Sequence, residues 1–130
     1  QSFFINERML GFMSDDLDIY QEQEPTVEDI VNRQGLTVLN FGANWCPFCK
    51  AAAPLVGGVL AEHADMRQFA VADGKGKRLG RHYRVKLWPT LIFLKDGVEY
   101  ERLVRPQSQQ EVQQVLNQGL AMEIGSVRQN

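Results

Sequence analysis

The sequence has no apolar run approaching the roughly 20 residues that a membrane-spanning helix needs, so nothing in it reads as a bilayer span. Positive charge is not in excess: 14 Lys and Arg stand against 16 Asp and Glu, a net charge of −2, which argues against a general nucleic-acid binder. Histidine is confined to His63 and His82, and cysteine to Cys46 and Cys49. Half of a zinc site needs another half, and those two histidines are all that remains to complete four ligands, so no metal is expected. The cysteines are also poorly placed as a structural staple, because two residues between them close only a tiny loop. Redox chemistry is the better explanation of the pair. The 130 residues, 44% hydrophobic and 23% charged, are enough for a single globular domain with one core.

Both cysteines sit in Trp45-Cys46-Pro47-Phe48-Cys49-Lys50. The apolar run Leu36-Thr37-Val38-Leu39-Asn40-Phe41 just upstream reads as a buried strand, which puts the pair at a strand-to-helix junction. A thiol attacks a disulfide only as the thiolate, and the unpaired N–H groups and positive dipole end of a helix N-terminus stabilise that anion. Pro47 suits the first helical position, where its fixed φ fits and its missing N–H is not needed. Cys46 is therefore expected at the N-cap, exposed and acidified. Cys49, inside the first turn, comes round to the same side, within reach of a disulfide after a small rotamer change.

With these residues in view, the sequence resembles the thioredoxin family. The strand, the Trp-Cys-x-x-Cys-Lys box, Pro54 in the next helix, Trp88-Pro89-Thr90 ahead of a strand and the Asp96-Gly97 hairpin follow the family's order from about Leu36 to about Leu120. The resemblance implies an α/β thioredoxin fold: a central mixed sheet of about four strands flanked by helices. It implies catalysis by Cys46 and Cys49, supported by Trp45, Pro47, Phe48, Lys50 and Asn40. It also implies a cis Pro89 beside the cysteines, where backbone next to the proline binds an extended substrate, with Trp88, Thr90 and Arg105 completing that surface. Cys46 attacks a protein disulfide, Cys49 displaces the product, and a reductase of the thioredoxin-reductase kind or a membrane reductant reopens the bond. No cofactor is called for, and a monomer is expected. Two alternatives stay open: an oxidase or isomerase in an oxidising compartment, and a binding or assembly module in which the cysteines are incidental.

The sequence departs from the family in three places. Asn40 stands where thioredoxins carry a buried aspartate, and Phe69 where its lysine partner is usual. The Pro-Phe dipeptide replaces Gly-Pro, which places the expected potential between those of thioredoxin and the strongly oxidising DsbA, about −270 and about −120 mV. Val104-Arg105-Pro106 replaces a small glycine-containing turn, so a bulky cation is expected to narrow the substrate groove.

Along the chain, residues 1–24 read as an N-terminal extension and 25–130 as the thioredoxin-like domain. Phe3, Phe4, Ile5, Met9, Leu10, Phe12 and Met13 fall on one face of a short helix, read as packed on the domain or as a tail, followed by a solvated acidic connector at 15–18. Pro25 and Thr26 open a helix with Asp29 in a capping box and Gly35 as its stop, burying Val27, Ile30 and Val31. A helix from Pro47 is kinked by Pro54 and holds an unexpected Gly57-Gly58 pair. Residues 67–73 form a strand with Phe69 and Val71 on one face, Ala70 and Ala72 on the other. Lys75, Lys77, Arg78, Arg81, Arg84 and Lys86 read as a solvated helix face rather than a docking patch. A hairpin over 90–104 precedes a last helix capped by Ser108 and Glu111, with Val112, Val115, Leu116 and Leu120 on one face. The chain opens on Gln rather than Met, as a trimmed or a mature exported protein would; a cytoplasmic location is preferred, with an exported or periplasmic one as the alternative.

Overall fold

The computed structural model describes residues 19–63 and 65–129, with side chains through residue 122. The helix expected over residues 3–13 and the acidic connector lie outside that range. Among the described residues eight elements follow one another: α1 (Val27–Val31), β1 (Leu36–Gly42), α2 (Pro47–Leu60), β2 (Arg67–Ala72), α3 (Arg78–His82), β3 (Thr90–Lys95), β4 (Val98–Val104) and α4 (Gln109–Gln129). The strands form one mixed sheet in the order β2-β1-β3-β4, with β1 parallel to β2 and antiparallel to β3. Their alternation decides the layers. Val38, Leu91 and Phe93 face Val56 of α2 and Leu116 of α4, whereas Leu39, Phe41, Ile92 and Leu94 face Ile30 of α1 and Leu79 of α3.

Local chemistry accounts for the boundaries. Thr26 accepts the Asp29 N–H at 3.0 Å while the Asp29 carboxylate accepts the Thr26 N–H at 3.4 Å, closing the expected capping box. The helix then stops at Asn32 instead of running to Gly35. Gly35, at φ 80°, turns the chain into β1 and donates its N–H to Asp96 Oδ1 at 2.6 Å. The early stop leaves Val31 exposed, so Ile30 and half-buried Val27 form the inner face. Asp96 and Gly97 take φ 52° and 82°, the left-handed pair that a two-residue hairpin requires. A Cβ on Gly97 would run into the Val31 carbonyl, so the hairpin packs hard against the end of α1.

Helix α2 continues through Pro54 and both glycines to Leu60. Gly57 has open space beside it, and Gly58 abuts the Gln109 side chain. At α4, Ser108 Oγ accepts the Glu111 N–H at 3.2 Å, but the Glu111 carboxylate takes the N–H of Gln107 rather than of Ser108, at 3.1 Å. Val112, Val115 and Leu116 are buried while Leu120 is exposed, the neighbouring Gly119 being the residue of that turn that packs against Leu36 and Tyr100.

The outer edge of β2 does not end the pairing. Gln21 bridges to Val71 in parallel, donating its N–H to Ala70 O and accepting the Ala72 N–H, each at 2.9 Å. This short attachment fixes the residue before it, Tyr20, under the N-terminus of α2.

Candidate active site

Cys46 is the N-cap of α2, in extended conformation at φ −80° and ψ 121°, with Pro47 next to it in the first turn. Its sulfur accepts the Cys49 N–H at 3.3 Å, and its carbonyl accepts the Lys50 N–H at 3.0 Å. Both cysteines are free thiols. The expectation of an exposed Cys46 is corrected here: it is only 4% exposed, and Cys49 only 2%. The sulfurs sit in a small cluster with Tyr20, Ala43 and Ala72, against which Trp88 packs; the loop bearing Trp88 covers what the helix end alone would leave open. Burial pushes the Cys49 thiol up to about 11, a hydrogen bond with Cys46 adds to the rise, and contacts from the Ala43 backbone and the Tyr20 hydroxyl oppose it.

The second half of the site comes from the loop before β3. The Trp88–Pro89 peptide is cis, and both Pro89 and Thr90 are buried. Thr90 Oγ1 donates to Leu87 O at 2.5 Å, and Trp88 Nε1–H donates to Asp73 Oδ2 at 2.8 Å. Trp45 meets Trp88 edge-on, ring centres 5.6 Å apart, yet is itself 71% exposed, so it forms the rim rather than a cover over the sulfurs. Phe48, 54% exposed, and Leu87 extend that apolar rim, and Lys50 is exposed behind it.

Arg105 ties the two halves together. Its N–H donates to Pro89 O at 2.9 Å, its Nε–H to Trp88 O at 2.7 Å, and its guanidinium lies 3.7 Å from the centre of the Phe48 ring. It does so at φ 55°, a left-handed conformation that glycine adopts freely. Of the cation-rich segment, Lys77 pairs with Glu22 at 2.7 Å, while Lys75, Arg81 and Lys86 border a shallow cleft beside Trp88.

Behind the sulfurs the register corrects one expectation. Asn40 pairs with Ala70, so the side chain across from it on the α2 face is a methyl. Phe69 pairs with Leu39 and packs with the α1 and α3 layer, flanked by the guanidiniums of Arg33 and Arg67 at 5.3 and 4.8 Å. The small Ala70 leaves a cavity of about 350 Å³ between α2 and β2, lined in part by Tyr20, Asn40, Val56 and Pro89. Among the described residues, no three or more of His, Cys, Asp and Glu gather closely enough to hold a metal.

Sequence reasoning missed Tyr20. Its N–H donates to Asn44 Oδ1 at 3.0 Å and its carbonyl accepts Asn44 Nδ2 at 3.1 Å, which clamps its backbone to the β1–α2 loop. Its hydroxyl donates to Asn40 Oδ1 at 3.1 Å and stands beside the Cys49 sulfur, the two atoms each 2.7 Å from where a Cβ on Gly42 would lie. The ring fits because residue 42 is glycine: a Cβ there would lie 2.5 Å from Tyr20 Cζ and 2.7 Å from Cys49 Sγ. No local pattern marks this tyrosine, since its partners lie in β1 and in the loop after it.

The family model described as Thioredoxin matches residues 19–118. Thioredoxin 2 of Pseudomonas aeruginosa, in its reduced form, superposes with a TM-score of 0.71 at 36% identity, over 82% of this chain and 98% of that one. A thioredoxin of Chlamydia trachomatis is 37% identical over 54% of this chain and 69% of its own length. Thioredoxin H3 of Arabidopsis thaliana is 33% identical over 53% of this chain, and the match spans only 58% of that relative. With most of its described length matched and the cysteine pair at the helix start, the chain belongs to the thioredoxin family.

Proposed function

We propose that the chain is a thiol–disulfide oxidoreductase that uses the Cys46–Cys49 dithiol to reduce disulfides in other proteins. One observation carries this: Cys46 Sγ caps α2, receiving the Cys49 N–H at 3.3 Å, in a cluster packed against the residue that precedes cis Pro89. An N–H aimed at a sulfur favours negative charge there, and Cys49 stands three residues on, ready to displace whatever Cys46 has captured.

The reaction has two exchanges. Cys46 attacks one sulfur of a substrate disulfide, forming the Cys46–substrate bond and releasing the other substrate sulfur with the electron pair of the broken bond. Cys49 then attacks Cys46 Sγ; the Cys46–Cys49 bond forms, the Cys46–substrate bond breaks, and the second substrate sulfur leaves as a thiol. Two electrons have passed to the substrate. A recycling reductant of the thioredoxin-reductase kind restores the dithiol. An extended substrate segment would lie along the backbone beside Pro89, where Arg105 already bonds the Trp88 and Pro89 carbonyls, with exposed Trp45, Phe48 and Leu87 supplying apolar contacts.

The test is reduction of insulin by the protein with dithiothreitol as electron source. Turnover above the dithiothreitol background is expected for the native chain, abolition by Cys46→Ser, and accumulation of a stable mixed disulfide with Cys49→Ser. Native protein that gives no rate above background would overturn the proposal.

A further inference from the structure

We propose that Tyr20 is a catalytic residue for the second exchange: its hydroxyl, held between Asn40 and Cys49, donates to the Cys49 sulfur as that sulfur becomes an anion. The inference rests on the oxidoreductase reading above and assigns a task that it leaves unfilled. Cys49 is buried and must give up its proton to attack, yet among the described residues no carboxylate gathers with the two sulfurs. Asn40 cannot ionise, and Ala70 across from it offers nothing.

The placement of Tyr20 is specific at every contact. Its backbone is clamped on both sides by Asn44, and the next residue is paired into the edge of β2. Its hydroxyl has two neighbours of complementary capacity. While Cys49 is a thiol, the O–H is satisfied by Asn40 Oδ1 at 3.1 Å, and Oη keeps a lone pair free for the neighbouring S–H. Once the sulfur is charged it becomes the stronger acceptor, and rotation about the Cζ–Oη bond brings the same proton onto it. Asn40 is the resting acceptor that lets a buried hydroxyl wait at no cost in unpaired polarity. Its amide cannot compete with the thiolate as a charged acceptor, whereas a carboxylate in its place would. Gly42 supplies the room, since any Cβ there would intrude on both Oη and Sγ.

Proton and electrons balance without a further reagent. Tyr20 ends each cycle with the proton it began with. The proton leaving Cys49 ends on the departing substrate sulfur, and the electron pair of the Cys46–substrate bond goes with that sulfur.

The experiment is single turnover of the reduced protein with 5,5′-dithiobis(2-nitrobenzoate). The first thionitrobenzoate released reports attack by Cys46, and the second reports resolution by Cys49. Tyr20→Phe keeps the ring and removes the hydroxyl. The first release is expected to change by less than about twofold, while the second slows roughly 10- to 100-fold near pH 7, the loss of one hydrogen bond to a charged group. The pH profile of the second release moves to higher pH, which a mere packing role would not produce. A second probe, 3-fluorotyrosine placed at position 20 alone, leaves the packing intact and makes the hydroxyl a stronger donor; resolution then speeds up and its profile moves down. Unchanged second-phase rates and profiles in both proteins overturn the role of Tyr20 while leaving the oxidoreductase reading in place. Absence of the first release in native protein overturns that reading instead.

Discussion

Arg105 occupies a conformation that costs it something, and what it gains there can be estimated. Its Nε–H bond to Trp88 O, at 2.7 Å, is of the charge-assisted kind worth about 1.5–3 kcal/mol when well buried. Its position over the Phe48 ring adds about 0.5–1 kcal/mol at a site open to solvent. The residue is half-buried and Phe48 more exposed still, so a net of about 2 kcal/mol for removing the side chain is a discounted figure. Against this stands the left-handed backbone, φ 55°, which costs a residue with a Cβ about 1–2 kcal/mol and glycine almost nothing. Arg105→Ala loses the contacts and keeps the strain; Arg105→Gly loses the contacts and sheds it. Thermal unfolding is therefore expected to rank native protein first, the glycine variant about 1 kcal/mol below it and the alanine variant about 2 kcal/mol below, or about 4 and about 8 °C in Tm. In insulin reduction both variants raise KM more than they lower kcat, because the guanidinium joins the Phe48 rim to the loop carrying Pro89 and touches neither sulfur. An alanine variant as stable as native protein, or a glycine variant less stable than alanine, refutes this account of the turn.

Three further expectations follow from the same geometry. The Cys49 thiol is raised from its ordinary value near 9 to about 11, and a neutral acid raised on folding contributes stability that is full below the unfolded value and lost as pH climbs through the folded one. Denaturant titrations of the reduced protein are thus expected to show declining stability from about pH 9 to about pH 11, a decline missing from the oxidised protein, whose sulfurs cannot ionise; parallel curves for the two forms count against it. Asn40→Asp places a carboxylate where burial raises its pKa and Ala70 supplies no cation. By the same sign its destabilisation is small near pH 4 and grows toward pH 8, and a flat difference from native protein across that range sinks the expectation. Equilibration with glutathione is expected to return a potential between about −270 and about −120 mV, the values of thioredoxin and DsbA, and a value below the lower limit removes the significance assigned to the Pro-Phe dipeptide.

The parts of this molecule that the sequence discloses are those written in local patterns. The apolar run of β1, the alternation in β2, the Thr26–Asp29 cap, the Asp96-Gly97 turn and Pro47 after Cys46 each act over a few residues, and each appears where spacing places it. Exposure of Cys46 was not legible, because the helix N-cap is covered by a loop far along the chain, and local reasoning sees only the open end. Phe69 failed for a different reason. Strand residues alternate between faces, so an alignment displaced by one position assigns a side chain to the wrong layer, and it is Ala70 that lies across from Asn40. Tyr20 lay beyond reach altogether, since neither hydrophobic period nor cap nor turn chemistry marks a residue whose contacts are all made at a distance in sequence.

Asn40, Ala70, Gly42 and Tyr20 make sense only together. A carboxylate at position 40 would need a cation at 70, and a methyl stands there; a cation at 70 would be buried without a partner if position 40 stayed an amide. Either single change leaves an uncompensated charge in a site where both sulfurs are nearly inaccessible. Neutral groups avoid that cost but surrender the proton acceptor, and the hydroxyl of Tyr20 is then the polar group brought up to the Cys49 sulfur, admitted by the missing Cβ of Gly42. The electrostatic consequence is a site with one titrating group behind the nucleophile instead of two coupled ones. Its resolving step should accordingly follow a single ionisation, and introducing Asp at position 40 should split that curve in two.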